Sequence, residues 1–555
     1  LSRLRRSNII APDDGTTMGT TMRDFPLHER TIGRVIAEKA ARIPERIFLR
    51  WQGRDWCYAE LERMTNRYAN GFAALGVRHG DRVALMMPNC PELLWALWGL
   101  GKLGAVAVAL NTAARGDMLR YFVAQSDASC LVVDDEWVDR VREVCAQLPT
   151  VTRYVVRGDA ALEVPGARTV GFGALDSDDE TRPPLEAVRH DDIQTIVYTS
   201  GTTGPSKGVM CPQSQGHGIG RALTLDYGYT PDDVLFACLP LFHVNALWYS
   251  CYAALWADAT VALSPRFSAT RFWDEIRESR ATQFNSLGAM TNIILQLPPG
   301  PQDREHRVRQ AMLVPMTKDL PARFLERYGI RSTSLFAMSE NYAVTTYLPD
   351  DRADKAGSAG HPRDASLLRI VDDDGRELPA GEVGEILMKP LQPGTMMKGY
   401  YAMPEATAGA FVDGWFCTGD RGSVDADGYL WFVDRKKEAI RRRGENISAY
   451  EVELILSRHP AVLEVAAVPV PAEMSEDEVM VYVVVRPGHV VTEAEVVRFA
   501  AGRMSYFMVP RFVAFIDALP KTATEKIEKY KLKQDALARR ASLWDREREG
   551  IVVAR

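Results

Sequence analysis

Cysteine is sparse and scattered in this chain, with 8 residues among 555 (Cys57, Cys90, Cys130, Cys145, Cys211, Cys238, Cys251 and Cys417). No CxxC pair and no His/Cys ligand spacing occurs, which excludes a zinc module and a disulfide framework and leaves reduced packing thiols. A basic excess is also missing. The 67 Lys and Arg are outnumbered by 73 Asp and Glu, for a net charge of -6, so nucleic acid is excluded as the main partner. The first twenty or so residues carry basic groups without an apolar core, so a frayed tail over residues 1–28 is expected rather than a secretory signal. Only Leu93 to Leu110 is apolar at near-membrane length. Lys102 interrupts it, Gly99, Gly101 and Gly104 weaken it as one helix, and Val106-Ala107-Val108 has strand character. A buried helix feeding a buried strand is the expectation, with no integral membrane association and a cytoplasmic location. Repeats and low-complexity tracts are absent as well.

What is present is an ordinary globular composition on a chain too long for one core, so two to four folding units are expected. From Thr31 to about Leu263, amphipathic helical stretches alternate with short β-branched runs such as Arg82 to Met86 and Cys130 to Val133. That alternation favours parallel sheets flanked by helices. Asp176 to Glu186, rich in Asp, Glu and Pro, has the composition of a surface linker. Between Leu367 and Gly428 short strands and Asp-Gly turns point to a distorted β-barrel or meander. Beyond Asp434-Arg435-Lys436-Lys437 a second unit begins, with helices over Tyr450 to Ser457 and Thr492 to Met504 and strands over Val479 to Val485 and Phe512 to Phe515. These make a small α+β domain of roughly 110 residues. The expected division is 1–28 tail, 29–434 large domain, 435–437 hinge and 438–555 small lid domain.

The most informative stretch is Tyr198 to Val209, YTSGTTGPSKGV, directly behind the apolar run Thr195-Ile196-Val197. Glycines let successive N–H groups converge on one anion. Thr199, Ser200, Thr202, Thr203 and Ser206 add hydroxyl donors, and Lys207 adds a compact positive charge. This is a polyphosphate cradle. It is not a Walker A loop, because Lys207 follows Ser206 and precedes Gly208.

The stretch resembles the phosphate loop of the adenylate-forming superfamily, which includes acyl-CoA synthetases, peptide-synthetase adenylation domains and luciferases. The resemblance runs from about Arg30 to about Leu537 and is met again at separate places. It implies an ATP site over Thr199, Ser200, Gly201, Thr202, Thr203, Gly204 and Lys207. Leu239 to Ala246, LPLFHVNA, is similar to the superfamily's histidine motif, with His243 near the substrate carboxylate and Phe242, Leu247, Trp248 and Asn285 to Ala289 as candidate pocket wall. Leu335 to Glu340, LFAMSE, is similar to the aromatic-Gly-Met-Thr-Glu motif. There Phe336 stacks on adenine with Ala337 and Met338 beside it, Ser339 binds the α-phosphate, and Glu340, with Thr199, holds Mg²⁺. Ala337 stands where relatives have glycine, and Leu313-Val314-Pro315-Met316 stands where they have a Gly-Gly-Ala adenine loop.

Asp413 to Asp420, DGWFCTGD, resembles the motif whose aspartate holds the ribose hydroxyls. A carboxylate suits a vicinal diol because it accepts both O–H bonds, and Arg435 adds a second ribose contact. Pro520 to Ile527, PKTATEKI, resembles the motif of the catalytic lysine, which falls on Lys526, with Glu525 in place of the usual glycine. An ammonium about 4 Å from the developing charge is worth roughly 4 kcal/mol at an effective dielectric of 20, before desolvation. Lys437 matches the hinge about which relatives rotate the small domain. Gly444-Glu445-Asn446 resembles the loop that meets pantetheine on the opposite face, with Arg441-Arg442-Arg443 near CoA phosphates or simply solvated.

The resemblance thus implies AMP-forming activation of a carboxylic acid, with transfer to CoA and with ATP, Mg²⁺ and CoA as cofactors; a homodimer is an open expectation. Asn111 to Gly116 and Arg443 to Ser448 are most similar to the crotonobetaine/carnitine-CoA ligase branch. The alternative is an adenylate-forming enzyme with another acceptor, either an amide-forming ligase or a diazotase that activates nitrite toward an aryl amine.

Overall fold

The computed structural model describes residues 23–199, 205–341, 344–362, 366–435, 439–472, 476–520 and 527–554. The β-branched runs of the first half form a seven-stranded sheet. Its order is Arg168–Gly171, Arg153–Arg157, Cys130–Asp134, Arg82–Met86, Val106–Ala109, Ile193–Thr199 and Lys207–Pro212. All neighbours are parallel except the last pair, an antiparallel hairpin. A second, nine-stranded sheet has a parallel centre, with Thr260–Leu263, Val234–Ala237, Gln283–Leu287, Gln310–Val314 and Arg331–Phe336 side by side. Antiparallel strands finish both of its edges.

Helices Tyr58–Ala74, Pro91–Leu103 and Gln213–Tyr227 join both sheets in one hydrophobic cluster. The apolar run at Leu93 is the middle of these helices, and Val106–Ala109 follows it as a buried strand, as expected. Among the described residues no helix is long and apolar enough to cross a membrane. Trp98 is fully buried between Phe48 and Tyr252, at ring-centroid distances of 5.5 and 5.6 Å. Burying side chains of this size supplies most of the favourable folding energy. At Gly99 a Cβ would sit 3.0 Å from both the Ala69 nitrogen and the Tyr68 Cβ, so the glycine allows the two helices to touch.

Lys102, which argued against a membrane span, is buried and bonds Glu62 at 2.7 Å and Asn66 at 2.7 Å. Burial pulls its pKa down to about 8, although Glu62 opposes the shift. Glu62 also accepts from Arg182 at 2.5 Å, and Asn70 donates to the carbonyls of Asp179 and Thr181. The acidic segment at 176–186 is therefore pinned to helix Tyr58–Ala74 rather than a free linker.

Part of the stretch expected as tail is packed, beginning at Phe25. Phe25 is 1% exposed, with its ring 5.6 Å from Trp256, and Arg221 grips Asp24 at 2.7 Å. The expected tail over 1–22 lies outside the described residues.

Ser366–Val371, Gly384–Pro390, Trp415–Val424, Phe411–Val412 and Leu430–Arg435 form an antiparallel five-stranded sheet, the curled half-barrel of the large part. After it, Val462–Pro471, Asp477–Val485, Phe512–Phe515 and Trp544–Asp545 make a separate four-stranded sheet. Helices Ala449–Leu456 and Glu493–Ala501 pack on it, and its core is its own cluster around Ile440, Val452, Val481 and Val497. Thr492 caps the second of these helices in a reciprocal box with Glu495.

Candidate active site

In open α/β sheets, ligands lie in the crevice beyond the carboxyl ends of the strands. The motifs meet there. The phosphate stretch is a hairpin in which Thr199 pairs with Lys207 and Tyr198 with Gly208. Tyr198 donates to Gln125 at 2.5 Å, and Tyr121 donates to the Ser206 carbonyl at 2.8 Å, which holds the hairpin from below. Its tip, Ser200 to Gly204, lies outside the described residues.

A strap of residues 396–401 ties this hairpin to the Glu340 segment. Tyr401 N–H donates to the Gly208 carbonyl, Lys398 N–H to Met210, Met210 N–H to Gly399, and Met397 N–H to the Glu340 carbonyl, all at 2.8–2.9 Å. At Gly399 (φ +122°) a Cβ would fall 2.7 Å from Thr407, so only glycine fits this bend. Tyr400 then reaches both motifs. Its hydroxyl donates to Glu340 Oε1 at 3.0 Å, and the Lys207 ammonium sits 4.6 Å from its ring centroid. Burial first, and Glu340 next, push the Tyr400 pKa well above the usual phenol range, so the hydroxyl stays a donor. Sequence reasoning passed over Tyr400. The available signal was Gly399 followed by two tyrosines, a glycine bend that aims an aromatic.

Phe336 ends strand Arg331–Phe336, and Ser339 is fixed through its carbonyl by the buried Gln215 amide at 3.1 Å. Ala337 and Met338 are half-buried beside them. The ring of Phe336 lies 6.3 Å from Phe432, on the strand next to the one carrying Asp420. Asp420 is buried and lies across the ladder from Arg435, which brings the two expected ribose residues into register. Phe432 was also missed; a single exposed phenylalanine in a strand carries no signal of its own. The departure at Leu313 to Met316 lies on the same edge, because Val314 pairs with Leu287.

His243 follows strand Val234–Ala237 and opens onto the small domain. Its Nε2 is 3.1 Å from both carboxylate oxygens of Glu445. Burial alone would lower the imidazole pKa, but the Glu445 charge outweighs it and the net direction is up. For Glu445 burial alone would raise the pKa, but His243 and then Asn111 hold the carboxyl below its ordinary range. Asn111 donates to Glu445 at 3.3 Å, and Arg458 meets Asp117 at 2.5 Å. Gly444, at φ +80°, donates its N–H to Glu476 at 3.1 Å. A narrow cavity of about 50 Å³ runs between the two parts, lined by Ala109, Phe242, His243, Glu445, Asn446 and Met508. A wider open groove of about 520 Å³, beside Leu27, His190 and Gln392, is bordered by Met396 and Lys398 of the strap.

Arg442 corrects one expectation. It is 1% exposed, pairs with Glu478 at 2.5 Å and donates to the carbonyls of Phe507 and Val509. Burial lowers it to about 10 against the pull of Glu478. It is thus a packing cation of the small domain and faces neither CoA nor solvent. Lys437 and Lys526 lie outside the described residues. Among the described residues no group of three or more His, Cys, Asp or Glu is placed to hold a metal. Burial pushes the Cys90, Cys130 and Cys238 thiols up to about 12.

Comparison with known proteins agrees with this geometry. The family model described as AMP-binding enzyme matches residues 36–401, and that of the AMP-binding enzyme C-terminal domain matches 451–526. A crotonobetaine/carnitine–CoA ligase of Salmonella paratyphi C is 34% identical over 490 residues, covering 86% of this chain and 93% of that protein. A double mutant of o-succinylbenzoate CoA synthetase from Bacillus subtilis, bound with its product analogue, superposes with a TM-score of 0.79 at 27% identity, over 90% of this chain and 97% of the other. A Mycobacterium tuberculosis fatty acyl CoA synthetase gives 0.66 at 29% identity, over 92% and 99%. The Thr199–Lys207 hairpin, the Glu340 carboxylate tied to it through Tyr400, and a small domain docked at His243 thus accompany a family match over most of the chain: it belongs to the AMP-binding enzyme family.

Proposed function

We propose that this chain is an AMP-forming acyl-CoA ligase working in two steps at one site. A carboxylate oxygen of the acid attacks the α-phosphorus of ATP, the bond to the β-phosphate breaks, and pyrophosphate leaves. The CoA sulfur then attacks the acyl carbon, the bond to the AMP oxygen breaks, and the thiol proton passes to solvent or to a base.

The observation that carries this reading is the triple junction at Tyr400. One side chain meets the lysine of the phosphate hairpin and the glutamate of the Ser-Glu motif, about 130 residues apart in sequence. Lys207 and the Ser206 N–H bind polyphosphate oxygens, Asp420 with Arg435 holds the ribose, and Phe336 flanks the adenine. Lys526 neutralises charge that builds at the α-phosphate. Glu340 suits Mg²⁺, because the Tyr400 bond engages only Oε1, and this ion takes one or two carboxylates and completes its shell with phosphate oxygens and water. Thr199, on the strand end facing Lys207, is the second group offered to it. When bound, the ion neutralises phosphate charge.

The His243–Glu445 contact supports the second step. In the resemblance, the Gly444-Glu445-Asn446 loop serves the thiol face, and here that loop is the one docked on the histidine. His243 orients the acyl carboxyl group, and Glu445 orients His243. The carnitine-type relatives favour CoA as the acceptor.

A pyrophosphate-release screen over short-chain, aryl and amino acids, with and without CoA, tests the reading. Expected is release of pyrophosphate with one acid class and a CoA thioester in the mass spectrum. Release that consumes an amine or nitrite, and never CoA, would replace the acceptor.

A further inference from the structure

Glu451 opens helix Ala449–Leu456 of the small domain, and its side chain leaves that domain. Its carboxylate accepts from the Ser206 N–H of the phosphate hairpin at 2.7 Å, across 245 positions of sequence. Both partners are buried, Ser206 at 2% exposure and Glu451 at 9%. No Lys or Arg among the described residues pairs with Glu451. A buried carboxylate without a cation is costly unless N–H donors satisfy it. Here the donor belongs to a hairpin whose glycines, hydroxyls and Lys207 suit anions.

Such a carboxylate occupies an anion site, and the site has another claimant. During the first step the same N–H faces the polyphosphate of ATP and then the departing pyrophosphate. Two anions cannot share one donor in a water-poor cavity, since like charges a few ångströms apart repel strongly where water is excluded.

We infer that Glu451 is a positioning residue for the thiol step. Seated on the Ser206 N–H, it takes a donor that pyrophosphate uses, so the docked small domain and bound pyrophosphate exclude one another. Loss of pyrophosphate then admits the small domain, and the docked domain in turn bars pyrophosphate from returning to reverse the adenylation. This ordering rests on the adenylation reading above, but its test needs neither the acid nor CoA.

The half-exposed pair Asp117 and Arg458 spans the two domains at 2.5 Å and does not include Glu451. A D117C/R458C variant bridged by a short bismaleimide holds the small domain docked. Binding of inorganic pyrophosphate with Mg²⁺ is measured by calorimetry on the free enzyme, the bridged enzyme, and bridged enzymes carrying E451A or E451Q. Bridging should weaken pyrophosphate by about tenfold or more, the scale of one hydrogen bond to a charged group. E451A should restore most of that loss. E451Q should restore part of it, because the amide oxygen still covers the N–H without the charge. Undiminished binding in the bridged enzyme would overturn the exclusion. Equal weakness in bridged parent and bridged E451A would assign the exclusion to the bulk of the domain and overturn the role of Glu451. Failure of the free enzyme to bind pyrophosphate would instead sink the adenylation reading, and this inference with it.

Discussion

The two faces of the site are held by different kinds of bond. On the large-domain face, peptide hydrogen bonds run from the strap at 397–401 to Glu340, Gly208 and Met210. Each buried peptide group torn from such a ladder costs about 1–3 kcal/mol, so this face has one arrangement. The small-domain face is docked through side chains: Glu445 at His243, Arg458 at Asp117 and Glu451 at the Ser206 peptide. These groups regain water on separation, so breaking the contact leaves no buried polar group without a partner. A reaction with two successive attackers on one bound nucleotide needs both properties. On the proposed reading the phosphate cradle stays, and the surface opposite it changes.

Removing the charge delivered by the small domain should give the largest effect. Lys526→Ala is expected to slow acyl-adenylate formation about 10²–10³-fold, the scale for loss of one positioned charge-stabilising donor. Thioester formation from supplied acyl-adenylate should be spared, and equal loss in both half-reactions would erase the division of labour between the faces.

Tyr400 probes the fixed face. Tyr400→Phe keeps the ring beneath Lys207 and deletes the bond to Glu340, and should slow adenylation by about tenfold. Tyr400→Leu should do more, through loss of both contacts. A phenylalanine variant with unchanged pyrophosphate release would remove the junction from the mechanism.

His243 and Glu445 probe the exchangeable face through pH. His243 is raised in the docked form, so its contribution is full below the ordinary imidazole range and fades as pH climbs through the raised value. Glu445 is lowered, so its contribution is full above the ordinary carboxylate range and fades as pH falls through the lowered value. The thiol half-reaction should therefore peak between those ranges, while adenylation follows another profile. His243→Gln should flatten the alkaline limb and slow the thiol step several-fold. An unchanged limb would show that the ion pair does not govern docking.

The smallest effect belongs to Arg458→Ala. An exposed ion pair of this kind is worth about 0–1 kcal/mol, so the thiol step should change less than about fivefold. A larger loss would show that docking depends on surface charge.

Much of this arrangement was legible in the chain. Alternating helical and β-branched patterns exposed the parallel sheets because burial on both faces demands apolar strands, and the helix at Leu93 was legible because Lys102 broke its apolar run. The phosphate hairpin, His243, Ser339-Glu340 and Asp420 stood out as candidates because the proposed chemistry demands particular residues in short local patterns. Tyr400 and Phe432 escaped because their roles come from tertiary neighbours: the glycine bend before Tyr400 does not say which groups its ring and hydroxyl meet, and Phe432 is one phenylalanine in an ordinary strand. Arg442 misled for the same reason. Three consecutive arginines look alike in sequence, and only the fold shows that the middle one turns inward to Glu478. The packing of Phe25 and the pinning of residues 176–186 depend on partners more than a hundred positions away, which local composition cannot report.

The central claim is that a carboxylate oxygen of the substrate attacks the α-phosphorus. It is tested most directly by running the complete reaction with an acid labelled with ¹⁸O in its carboxyl group and weighing the nucleotide product. The account predicts AMP carrying one ¹⁸O atom, because the acyl C–O bond breaks when the thiol attacks. Label in inorganic phosphate with ADP as the nucleotide product, or unlabelled AMP beside a completed thioester, would contradict it.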